Sequence, residues 1–198
     1  DIRFLRGSGR YIDDIQLPDM LHAAVVRSPY AHARVLDIDA RPALAMSGVV
    51  AVFTFDDLAP VKPIPIRLNP YGSLEPFLQT PLASGRVRYV GDPVALIVAE
   101  SRYQAEDALE LIAVDYEPMP VYIDAEADPI IALHDVAADN VASHFVMAKG
   151  NVTTAFAEAE HVTKLRFVSG RHSGVPLETR GLLAHYDLNQ GRLRVWGP

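Results

Sequence analysis

One stretch constrains this chain more than any other: the apolar run Val94-Ala95-Leu96-Ile97-Val98-Ala99, introduced by Gly91-Asp92-Pro93 and followed at once by residues 101–112. The run is far shorter than the roughly 20 residues needed to cross a bilayer, so it reads as a buried strand. The residues after it change period. Ala105, Ala108, Leu109 and Ile112 follow the i, i+3, i+4, i+7 stripe of a helix packed on a sheet, with small alanines permitting close approach. Ser101 and Gln104 have the spacing of a capping box, in which each side chain serves an orphan backbone N–H. Val114 to Glu117 is extended again and is stopped by Pro118 and Pro120, which donate nothing to a ladder. The segment predicts strand, helix, strand.

The remaining elements follow from similar signals. Gly7 and Gly9 mark a turn; Met20 to Val26 is mostly apolar and is expected as a central strand. Ser28-Pro29-Tyr30 interrupts, and Ala33 to Ile38 resumes an alternation with Val35 and Asp37 on one face and Leu36 on the other. A short helix capped by Asp39 is expected next, since Pro42 is tolerated in a first turn and Gly48 suits its end. Val49 to Phe53 reads as a buried strand, and Thr54 with Asp57 as a small capped turn. Six prolines between Pro60 and Pro81 resist both helix and ladder and predict a surface excursion, of the length at which loops are often functional. From Tyr122 to Lys149 the pattern weakens into a linker. Asn151 caps a helix over Thr153 to Glu160, His161 to Val168 reads as a strand, and Leu182 to Asp187 and Arg192 to Trp196 form a hairpin turning at Gly191.

Several function classes drop out on chemistry. The 198 residues are 49% hydrophobic, enough for one large domain or two small ones with real cores. A chain without cysteine has no disulfide and houses no thiolate-ligated iron–sulfur cluster. A formal charge of −7 with scattered basic residues argues against a nucleic-acid partner. The charged start at Asp1 and Arg3 lacks an export signal, so a cytoplasmic location is expected, with the periplasm left open. His161, His172 and His185 lack the spacing that puts two imidazoles on one helical face, so no metal site is expected. Gly170-Arg171-His172-Ser173-Gly174 puts serine one place late for a hydrolase elbow. Gly7 and Gly9 begin a dinucleotide fingerprint that Ile12 leaves incomplete. Asp92 is read as a turn former. Glu178 and Arg180 flank Thr179 on a segment leading into a strand, where alternation would put them on one face as an ion pair.

The order Val90-Gly91-Asp92-Pro93 through Glu117-Pro118-Met119-Pro120 closely resembles the α/β hammerhead domain of molybdenum hydroxylase large subunits, the group of xanthine dehydrogenase, aldehyde oxidase and carbon monoxide dehydrogenase. Further blocks match in the same order: Phe4 to Ile15, Val26 to Ala33, Gly48 to Thr54, then Gly150-Asn151-Val152, Ala155 to Ala159 and Val175 to Gly181.

The resemblance implies an α+β fold: a hammerhead domain with mixed sheet and packed helices at 1–122, a linker at 123–149, and the beginning of a molybdopterin-binding domain at 150–198. It further implies a part of an oxidoreductase that inserts water-derived oxygen into an aldehyde, a nitrogen heterocycle or carbon monoxide. The complete enzyme would use molybdopterin, with iron–sulfur and FAD groups on partner subunits or domains. Cofactor-holding segments and the catalytic base would follow Pro198, so no catalytic, cofactor-binding or metal-ligating residue is expected in residues 1–198. The Pro176-Leu177-Glu178-Thr179-Arg180 corner would line the approach to the metal, making Glu178 and Arg180 substrate-channel candidates. The chain would wall that channel and dock the partners. The alternative is a stand-alone interaction or assembly protein built on the same scaffold, distinguished by whether the reading frame continues past Pro198.

Overall fold

The computed structural model describes residues 2–58, 60–66, 74–170 and 172–197. In chain order the regular elements are α1 (Ile2–Leu5), β1 (His22–Arg27), β2 (Ala33–Asp39), α2 (Arg41–Leu44), β3 (Val49–Phe53) and β4 (Arg86–Val87). They continue with β5 (Pro93–Ala99), α3 (Arg102–Leu109), β6 (Ala113–Pro118), α4 (Val152–Glu158), β7 (Leu183–Asp187) and β8 (Arg192–Trp196). The protein is α+β. Two three-stranded sheets, ordered β1-β5-β3 and β4-β2-β6, are antiparallel throughout, and β7 pairs β8 as a hairpin.

The apolar run is the central strand β5, and both of its faces are buried. Ile97 joins Ala43 and Ala108 in one core cluster, with Val26, Val49, Val52, Leu109 and Ile112 packed around it. Val94, three residues away and therefore on the opposite face, joins Ala33 and Val87 in a second cluster with Val35, Ile38 and Tyr116. This two-sided burial explains why the run never alternates with polar residues. The strands flanking α3 enter different sheets, β5 in the first and β6 in the second, so strand, helix, strand is not a parallel crossover unit.

Local chemistry sets the element ends. Ser101 Oγ accepts the Gln104 amide N–H at 3.3 Å and donates to Gln104 Oε1 at 2.7 Å. The Gln104 side chain also reaches Ser47 O at 3.1 Å, tying the start of α3 to the turn before β3. The helix stops at Leu109 because the next amides bond three residues back, Leu111 to Ala108 and Ile112 to Leu109, yet Ile112 still packs in the core. Ala40, not Asp39, stands at the N-cap of α2. The Asp39 carboxylate nevertheless accepts Arg41 N–H at 3.0 Å and its guanidinium at 2.8 and 2.7 Å.

That side-chain bond from Arg41, followed by the backbone one, lowers the Asp39 pKa from 3.8 to about 2. A depressed carboxylate contributes stability that is present above the ordinary pKa and lost as pH falls through the folded one, here between 3.8 and about 2. An NMR titration of the Asp39 carboxyl carbon is expected to show a midpoint near the lower value, and R41A to return it toward the ordinary one.

Three expectations are corrected. The 20–26 segment is the edge strand β1, because the central place is taken by β5, which has partners on both sides. In β2 the register shifts between Val35 and Asp37, a bulge at Leu36, so Val35 and Ile38 face the core and Asp37 is exposed. No strand forms over 161–168 among the described residues: Leu165, Phe167 and Val168 are exposed, and the segment has no ladder partner there. The proline-rich excursion contains a 3-10 turn, Glu75–Phe77, and a bond from Ile64 N–H to Gln79 O at 2.8 Å; its tip at 67–73 lies outside the described residues.

The chain divides into two units, residues 21–147 and residues 1–20 with 148–198. This grouping differs from the sequence division at 122, for two physical reasons. Residues 1–20 are tied to the carboxyl-terminal segment by the Ile12 to Glu178 bond. Within the other unit, the 131–140 segment is docked rather than free: Arg88 Nε donates to Leu133 O at 2.8 Å, Arg86 pairs with Asp135 at 3.2 Å, and Asn140 bonds Leu133 N and Ile131 O.

Candidate functional site

In the unit that holds both termini, a 3-10 turn at Ile12–Asp14 lies beside the corner that precedes β7. Tyr11 N–H donates to Asp14 Oδ2 and Ile12 N–H donates to Glu178 Oε1, both at 2.8 Å. The two carboxylates therefore serve amides that the turn itself leaves without partners. An open cleft of about 630 Å³ runs here, lined by Tyr11, Gln16, Leu17, Glu178, Val195 and Trp196 among others. Val175, at the start of the corner, has a φ of +36°, a strained backbone for a β-branched residue.

Glu178 is half-buried and Arg180 is exposed. They do not pair: among the described residues the ion pairs are Arg34–Glu117, Arg41–Asp39 and Arg86–Asp135. The corner is irregular and β7 starts only at Leu183, so strand alternation does not govern these side chains. No group of three or more His, Cys, Asp or Glu that could hold a metal occurs among the described residues. Those residues present no converging donor set for a metal ion. His161, His172 and His185 are all exposed. Ser173 Oγ accepts a weak 3.5 Å bond from Val175 N–H, and the strand-to-helix setting of a nucleophile elbow is absent around it; Arg171 lies outside the described residues.

The sequence reading missed a buried polar pair, Ser28 and His32, in the connection from β1 to β2. Pro120 O can only accept, so His32 Nδ1 donates to it at 2.8 Å, and Met119 N–H bonds His32 O at 3.0 Å. The imidazole thus pins the chain leaving β6, while its Nε2 is buried with no hydrogen-bond partner among the described residues. The signal available in the sequence was two polar residues flanking Pro29-Tyr30-Ala31 between apolar strands. Asp92 is a turn residue as expected: Oδ2 accepts Arg88 N–H at 3.0 Å, its carbonyl accepts Ser28 N–H at 2.9 Å, and burial raises its pKa.

The profile described as aldehyde oxidase and xanthine dehydrogenase, a/b hammerhead domain, matches residues 6–120, and that of the molybdopterin cofactor-binding domain matches residues 133–198. The chain belongs to the aldehyde oxidase and xanthine dehydrogenase family. Its hammerhead segment comprises both three-stranded sheets and α3. The carbon monoxide dehydrogenase large chain of Afipia carboxidovorans is 38% identical, aligned over 100% of this chain and 26% of its own length. The nicotine 6-hydroxylase large subunit of Paenarthrobacter nicotinovorans is 39% identical, over 99% and 24%. Among solved structures, quinoline 2-oxidoreductase from Pseudomonas putida 86 superposes with a TM-score of 0.84 at 39% identity, over 99% of this chain and 25% of that one. The chain therefore spans about a quarter of the length of these relatives. No helix among the described residues is long and apolar enough to cross a membrane.

Proposed function

We propose that these residues are the hammerhead and the opening of the cofactor domain of a molybdenum-binding large subunit, part of an oxidoreductase that hydroxylates an aldehyde, a nitrogen heterocycle or carbon monoxide with oxygen from water. The observation that carries the reading is the order of the two profile matches along one chain, together with 38–39% identity to large subunits across nearly its whole length. On this reading 1–122 is the hammerhead, 123–149 the connection and 150–198 the start of the molybdopterin-binding domain. Residues 1–20 fold with the last of these segments.

The division of labour follows from the chemistry of the side chains. Without cysteine, and without a converging set of His and carboxylate ligands among the described residues, this portion serves as framework. Molybdopterin, when bound, supplies the redox chemistry, and the iron–sulfur and FAD groups sit on partner subunits or domains, in the cytoplasm or the periplasm. Glu178 and Arg180 border the approach to the cofactor, and the exposed Arg180 forms no ion pair among the described residues.

Two preparations test this. The polypeptide translated through and beyond Pro198, purified with its partner subunits, is expected to carry molybdenum in stoichiometric amount by elemental analysis and to oxidise one of the three substrate classes. Residues 1–198 alone are expected to carry none. Stoichiometric metal in the shorter chain overturns the division of labour, and a stop codon directly after Pro198 favours a stand-alone interaction protein.

A further inference from the structure

We propose that Glu178 is a positioning residue: its carboxylate clamps residues 10–17 against the 178–181 corner and fixes the mouth of the cleft between them. Three observations within one unit carry this. The bond from Ile12 N–H to Glu178 Oε1 is 2.8 Å long and joins positions 166 residues apart. A charged acceptor on a backbone donor makes such a bond about twice as strong as a neutral one. The Ile12 side chain also lies on Gly181, where an added Cβ would come within 3.3 Å of Ile12 Cγ2, so a residue without a side chain is what lets the two segments close. Gly197 completes the stack, since a Cβ there would stand 3.6 Å from Gly181 O, and Gly197 lines the same cleft as Ile12 and Glu178.

The clamp also accounts for the strain at Val175. A β-branched residue at positive φ persists only where its surroundings hold it, and the Glu178 bond fastens the corner three residues later. Resting on the reading that this corner borders the approach to the cofactor, Glu178 acts on substrate access through the 10–17 strap and not by touching the reacting atoms.

The test uses the complete assembled enzyme with E178A, E178Q and G181A. Amide exchange at Ile12 is expected to run about tenfold faster in E178A, because a hydrogen bond to a charged group is lost. KM is expected to rise more than kcat falls. E178Q keeps a carbonyl oxygen in place and recovers most of the protection and of the KM. G181A, which pushes Ile12 outward with Glu178 intact, is expected to loosen the same amide and decides the matter where E178A fails to fold. Unchanged exchange at Ile12 in both E178A and G181A overturns the clamp. So does an E178Q enzyme whose kcat is as impaired as that of E178A, which would place the charge at the chemistry. A parent enzyme without molybdenum-dependent turnover would sink the functional reading alone, since the exchange measurement still judges the clamp.

Discussion

Replacing Ile97 by alanine is expected to lower the unfolding free energy of the 21–147 unit by about 3 kcal/mol, within the range of about 2 to 5 for buried Ile-to-Ala changes. Ile97 is fully buried on the central strand and sits between Ala43 of α2 and Ala108 of α3. Ala43 and Ala108 have no side-chain length to relax into the vacated space, while Val26, Val49, Val52, Leu109 and Ile112 packed around the cluster can close part of it, which keeps the effect away from both ends of the range. Ile97→Val, which removes one methylene, is expected to cost only about 1 kcal/mol. Urea denaturation followed by circular dichroism measures both; a loss under 1 kcal/mol for the alanine variant would show that α2 and α3 collapse onto β5.

What could be read from the sequence was local, and what could not was pairing. The period change between residues 94–99 and 101–112 identified β5 and α3, because face-on burial and a 3.6-residue stripe are written in neighbouring side chains. Asn151 and the Gly191 turn were visible for the same reason: Asn151 Oδ1 accepts Thr154 N–H at 3.0 Å, and Gly191 takes a φ of +59°. The 20–26 run is mostly apolar and β5 is apolar throughout, and apolar content alone does not say which strand has two neighbours. The bulge at Leu36 shifts the register of β2 without changing its composition. Residues 161–168 have strand-like composition, yet a strand exists only against a partner ladder, and none is present among the described residues.

The candidate site divides in the same way. Glu178 and Arg180 were singled out as a pair through strand alternation, and that premise fails because the corner is irregular backbone. The partner that Glu178 does have is a main-chain amide, which carries no side-chain signature and stands near the opposite end of the chain. His32 was overlooked for a related reason: its fixed partner is the carbonyl of Pro120, and any residue would have supplied one there.

Gly48→Val is expected to destabilise by about 3 kcal/mol, for two separable reasons. Gly48 has a φ of +85°, a conformation in which a β-branched residue is strained by about 1 to 3 kcal/mol. A Cβ at this position would also overlap the amide of Gln104, whose side chain links Ser101 and Ser47. Displacing that amide opens a bond to Ser47 O and one from Ser101 Oγ, each worth about 1 kcal/mol. A double-mutant cycle with Q104A tells the contributions apart, since removing the amide relieves the overlap but leaves the backbone strain. In the Q104A background the cost of Gly48→Val is expected to fall to about 1 to 2 kcal/mol. A full cost in that background would assign the whole effect to the backbone and leave Gln104 a bystander. A cost near zero would mean that positive φ is dispensable at this turn, and that the glycine is there only to make room for the side chain that joins α3 to β3.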